Sequence, residues 1–185
     1  MKKYIIIISF LLIFTSIGYT ENNYDFRNTN WGMTSQEVID SESLKLIANQ
    51  DNQLFYITSI LTRECYLFYN FQNNDKLISA GYFFQIKHTN FNSYIDDYFE
   101  VQDAIVSKYG EPLENNRIWT NDLFKDNEQF WGTAISMGYL QYKSTWETEK
   151  TKIILKLYGD NYEIHLGLIY GDKSYVPEAP STKGL

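Results

Sequence analysis

The sequence predicts an α+β fold built from two units, each a helix followed by a three-stranded antiparallel meander, in one sheet or in two packed sheets. Three observations predict it. A capped helix start at Thr34 precedes three β-branched and aromatic runs. A second helical face occupies the middle of the chain, and three more alternating runs close it. Helices and antiparallel strands in that order belong to α+β architectures rather than to alternating parallel ones.

The first helix begins at "NWGMTSQEVIDSE". Thr34 and Glu37 stand in the capping-box relation, and Met33 and Val38 occupy the positions of a hydrophobic staple. The helix is expected to run to Ser43 with Val38 and Ile39 inward. Strands follow at 53–61, 64–72 and 76–87, and Asn73-Asn74-Asp75 supplies the turn between the second and third. In the next segment Ile95, Tyr98, Phe99, Gln102, Ile105, Val106 and Tyr109 recur at helical spacing. Asn92 or Ser93 caps that helix, Gly110 stops it in a left-handed conformation and Pro112 forbids continuation. Residues 113–138 read as an insert, with a short strand near Arg117–Thr120 and a helical turn within Phe130–Gly138. The closing strands are expected at 139–147, 151–159 and 162–171, with "GDN" at 159–161 as the last turn.

The ends of the chain read differently. Residues 1–20 combine Lys2 and Lys3, an apolar run from Ile5 to Ile17, and small Gly18 and Thr20, the plan of a signal peptide cleaved after Thr20. Secretion or a periplasmic location follows, with no membrane span after cleavage. Residues 21–30 are expected to be extended, 31–171 to form one domain (units 31–87 and 92–171), and 172–185 to be a disordered tail. Losing Lys2 and Lys3 takes the net charge from −7 to −9. So acidic a chain is a poor nucleic-acid or anionic-membrane binder. One cysteine, Cys65, makes an internal disulfide impossible, and its apolar surroundings mark it as a buried, inert thiol.

Chemistry is sparse. His88 and His165 are the only histidines, on separate strands and without partners at metal-ligand spacing. No nucleophile elbow, phosphate loop or paired zinc-ligand motif occurs. Asp96, Glu100 and Asp103 read as the solvated side of a helix. The sequence nominates no catalytic residue, no metal ligand and no cofactor, and nothing in it argues for an enzyme. What needs explaining is the aromatic content, 17 % of the chain. Alternation puts Tyr66 and Phe68 opposite Cys65, Leu67, Tyr69 and Phe71, so both faces of the first meander are apolar. Tyr66, Phe68, Tyr82 and Phe84 are therefore candidates for an aromatic binding face, unless the two meanders bury them in a shared core. Trp31 is a fifth candidate, with a core anchor as the commoner role of such a residue.

"FRNTNWGMTSQEV" resembles the opening of a family of small secreted or lipid-anchored bacterial proteins of unknown function, in which a WGM[ST]xxEV motif follows the leader. "KYGEP" and "STWETEKTKIILKL" are similar to its other landmarks, and together these span most of the mature chain. The lipid-anchored members carry a cysteine at the cleavage site, which this chain lacks. The helix-plus-meander plan also resembles β-lactamase-inhibitor-like proteins and small outer-membrane assembly lipoproteins, a likeness of fold that transfers no function. The expectation is a non-catalytic binding protein that recognises an envelope protein or peptide through an aromatic sheet face, its oligomeric state open. The alternative is a small-ligand binder or a hydrolase whose pocket is covered by the 113–138 insert.

Overall fold

The computed structural model describes residues 24–175; the expected leader and the chain from 176 onward lie outside the described residues. Its elements, in order, are α1 (Ser35–Ser41), β1 (Ala48–Gln50), β2 (Gln53–Ile60), β3 (Arg63–Gln72), β4 (Lys76–Phe84), α2 (Ser93–Tyr109), β5 (Glu114–Trp119), a 3₁₀ turn (Glu128–Phe130), α3 (Trp131–Ser136), β6 (Leu140–Glu147), β7 (Thr151–Asp160) and β8 (Glu163–Asp172). All eight strands form one antiparallel sheet in the order β1-β2-β3-β4-β8-β7-β6-β5. The two meanders thus share a single sheet, joined where Ser79–Phe83 of β4 pairs with Gly167–Gly171 of β8.

Each half is a helix followed by four strands, not three. The extra strand of the first half, β1, is only three residues, Ala48, Asn49 and Gln50, too short for alternation to announce it, and is closed onto β2 by Asp51 and Asn52 at φ 52° and 59°. Such paired left-handed residues form the tight turn that suits the twist of a hairpin. The turn between β7 and β8 falls at Asn161–Tyr162, slightly later than expected. Asp172 closes β8, and 172–175 continue as a bonded turn; the rest of the expected tail lies outside the described residues.

The first helix starts as its capping box dictates. Thr34 Oγ1 accepts from the Glu37 N–H, the Glu37 carboxylate accepts from the Thr34 N–H, and Asp75 in the β3–β4 turn accepts from Ser35. The preceding segment is not extended. Its Phe26–Thr29 bridge closes a tight loop that buries Phe26, and Trp31 N–H donates to the Asp25 carboxylate. Gly32, at φ +86°, turns the chain so that its N–H meets Leu77 O and Met33 O accepts from Leu77 N–H, docking "WGM" on the start of β4.

One hydrophobic core lies on one side of the sheet, between it and the helices. The buried face of α2 is rotated from the predicted one. Tyr94, Asp97, Tyr98, Val101, Gln102 and Ile105 are buried, whereas Phe99 is exposed. Polar anchors explain the rotation: Tyr98 and Gln102 both bond Ser144, and Asp97 meets Arg63 and His88. Periodicity alone cannot foresee an aspartate drawn inward by partners on distant strands. The short α3 lies against β7 so closely that a Cβ on Gly159 would sit 1.9 Å from Ile135 O, and one on Gly132 2.2 Å from Phe91 C. The two Trp-Gly pairs therefore need glycine for different reasons, backbone sign at Gly32 and close approach at Gly132.

Candidate functional site

Directly opposed residues in an antiparallel pair share a face, so the register assigns every strand side chain. Leu67 opposes Tyr82 and Cys65 opposes Phe84. Tyr82 and Phe84 accordingly belong to the helix-covered side, each 6 % exposed and part of the core. Tyr66 and Phe68 oppose Phe83 and Gly81 on the other side. The four candidate residues therefore do not form one surface. Two are core and two lie on the open face, and the partner strand's contribution to that face is Phe83.

The open face is organised in cross-strand rows. One runs Ile57, Tyr66, Phe83, Gly167, Lys156, Lys143, Asn116. Its neighbour runs Phe55, Phe68, Gly81, Ile169, Ile154, Thr145, Glu114. Where glycine leaves a gap, a phenylalanine fills it: Phe68 lies over Gly81, and Phe83 over Gly167. The two rings stack with centroids 4.8 Å apart. Aromatic cover of cross-strand glycines stabilises a sheet, which is why Phe68 is only 3 % exposed on a face over which no helix of the described residues lies. Ile57 and Tyr66 have no such employment and are 47 % and 41 % exposed. Sequence reasoning missed Ile57 and Phe83; pairing parity, available only once the register was known, identifies both.

Trp31 behaves as an anchor. Its indole N–H donates to Thr151 Oγ1 at 2.9 Å, tying the start of the first half to the start of β7 in the second. Its ring packs partly buried against the core.

Two polar clusters lie on the helix side. Asp97 receives Arg63 Nε at 2.8 Å and His88 Nε2 at 2.6 Å, with Glu100 as a second partner of Arg63; the guanidinium holds the Glu100 carboxyl below its usual range. On the open face His165 lies beside Tyr158, the ring centroids 5.2 Å apart and the planes tilted by 39°. The second cluster is a buried carboxylate, Glu42, which accepts from Arg27 Nε and Nη2 at 2.7 and 3.1 Å and from the Tyr69 hydroxyl. Beside it opens a cleft of about 580 Å³ whose walls include Arg27, Tyr82, Lys108, Tyr109, Lys150 and Tyr170. No residue of the 113–138 insert lines it; Asn115, Asn116, Arg117 and Trp131 of the insert line a separate, shallower cleft of about 310 Å³ against Phe99 and Tyr142. Burial pushes the Tyr82 phenol up, partly offset by the Arg27 guanidinium.

Cys65 is fully buried, and burial raises its thiol to about 11, so it carries little thiolate at neutral pH. Among the described residues no group of three or more His, Cys, Asp or Glu could hold a metal ion, and no helix is long and apolar enough to cross a membrane. Compared with protein-family models, curated proteins and solved structures, the chain matches none of them.

Proposed function

We propose that this is a non-catalytic binding protein, secreted or periplasmic, that recognises an envelope protein or peptide through the open face of its sheet. One observation carries the reading. Among the described residues the helices cover one side of the sheet only, while Ile57, Tyr66 and Phe83 line up in a single row on the other. Contiguous exposed apolar rows are uncommon on soluble domains and favour recognition surfaces. Tyrosine adds contact area at low conformational cost. The resemblance of "FRNTNWGMTSQEV" to small secreted bacterial proteins, and the leader-like residues 1–20, support the compartment. The plan of two helix-plus-meander units sharing one sheet fits the same reading, because it leaves a broad face free of helices.

The test compares the two sides of the sheet. Envelope proteins captured by the mature chain are purified and rebound to variants. Ile57→Ser with Tyr66→Ala is expected to weaken rebinding at least about tenfold with little change in melting temperature, as for exposed positions. Tyr82→Ala is expected to cost about 3 kcal/mol of stability, as for a large aromatic removed from a core. If the Ile57/Tyr66 pair rebinds as the wild type does, the open face is not the binding surface. A second reading, a small-ligand binder, is favoured by the tyrosine-walled cleft beside Arg27.

A further inference from the structure

We infer that the partner of the open face is an acidic segment of another protein, apolar side chains flanked by carboxylates; this rests on the reading of that face as the binding surface. The sheet breaks a rule of strand pairing. Lys143 on β6 and Lys156 on β7 stand directly opposite one another on the open side. Like charges in that relation destabilise a sheet. Neither forms an ion pair among the described residues. The nearby Glu147–Lys152 pair shows the usual remedy, with opposite signs across the same two strands.

This unrelieved pair occurs in a chain with 23 acidic residues against 16 basic ones, where a carboxylate would be the ordinary neighbour. It lies in the same cross-strand row as Ile57, Tyr66 and Phe83, separated from Phe83 only by Gly167. Lys156 Nζ is held 4.6 Å over the Tyr158 ring, and Tyr158 in turn lies tilted against His165. That cross-strand row is thus apolar at one end and carries two opposed lysines towards the other, with Glu114 in the neighbouring row. A segment that covers both ends must bring apolar side chains to the first and carboxylates to the second. A local rule broken without internal compensation points to a function outside the fold. The net charge, −9 once Lys2 and Lys3 are removed, opposes a long polyanion more than a short segment with a few carboxylates, since long-range repulsion grows with the ligand's charge. An acidic protein segment requires only that a few carboxylates reach two lysines.

The experiment pans a phage-displayed dodecapeptide library on the mature chain and, in parallel, on the Lys143→Glu/Lys156→Glu variant. Wild type is expected to enrich peptides combining Asp or Glu with aromatic residues, and the variant to lose them. The best peptide, made synthetically, should bind the variant at least about tenfold more weakly at 0.05 M salt, with the difference shrinking in 0.5 M salt. Single Lys143→Glu creates an opposite-charge pair, so its melting temperature should rise while its affinity falls. That combination excludes unfolding as the cause of lost binding. Enriched peptides that are not acidic, or that bind the variant equally, overturn the inference while leaving the open-face reading intact. Acidic peptides that bind the Ile57→Ser/Tyr66→Ala variant as well as wild type overturn that reading too. Equal, lysine-dependent binding of phosphatidylserine vesicles or of an RNA oligonucleotide would replace the acidic protein segment with a general polyanion.

Discussion

Arg27→Met is the most informative stability perturbation. Glu42 has a fully buried side chain, and its carboxylate is held by two guanidinium bonds, at 2.7 and 3.1 Å, and by the Tyr69 hydroxyl. Methionine keeps the bulk of the arginine stem and removes the charge, leaving a buried carboxylate with one phenol donor. Breaking a buried ion pair from one side typically costs about 3–5 kcal/mol. Arg27 is itself a quarter exposed, so water can partly replace it, and the low end, about 3 kcal/mol, is expected. Glu42→Gln should cost less, about 1–2 kcal/mol, because the freed guanidinium can turn towards the adjacent cleft. The double variant leaves no unpaired buried charge and should be less destabilised than the sum of the two, by about 2 kcal/mol of coupling. Urea unfolding followed by tryptophan fluorescence measures all three, and the Arg27→Met loss corresponds to roughly 6–12 °C in melting temperature for a domain of this size. A loss under about 1 kcal/mol, or strict additivity in the cycle, would refute the idea that the pair closes a buried charge.

Other outcomes follow from the same geometry. Leu61 and Thr62 form the β2–β3 turn at φ 49° and 65°, a conformation costly for branched side chains. Leu61→Asn with Thr62→Gly is expected to raise stability by about 1–2 kcal/mol in urea titration. The Tyr56 hydroxyl is buried without a hydrogen-bond partner among the described residues, so Tyr56→Phe should be neutral or stabilising by up to about 1 kcal/mol. Burial raises the phenols of Tyr56, Tyr69, Tyr82, Tyr98, Tyr142 and Tyr170, Tyr98 to about 12. A raised folded pKa contributes stability that is complete below the unfolded value, about 10, and is lost as pH rises towards the folded one. Alkaline titration should therefore show these tyrosines ionising together with loss of folded circular dichroism, not before it.

Much of the local structure was legible because it rests on near neighbours. The capping box at Thr34 and Glu37, the left-handed stop at Gly110 and the inward row Ile153, Leu155, Leu157 all appear where short-range rules place them. The buried, inert Cys65 follows from its alternating strand. The candidate surface was only half legible. Alternation sorted Tyr66 from Leu67 and Tyr82 from Phe83 within each strand, but it carries no information about which row of one strand faces which row of the next.

By itself, the sequence determined the helices and most of the strands, the turn chemistry, the acidic balance and the scarcity of histidine and cysteine, since these depend on composition or on residues a few positions apart. Only the tertiary structure decided that the two meanders form one sheet, that Asp97 turns inward to Arg63 and His88, and that Trp31 reaches Thr151. It also decided that Tyr82 and Phe84 are core while Tyr66 shares the open face with Ile57, Phe83 and two opposed lysines. The physical reason is register: a strand's period of two defines its two faces, and only hydrogen bonding to a distant strand says which of them meets the helices.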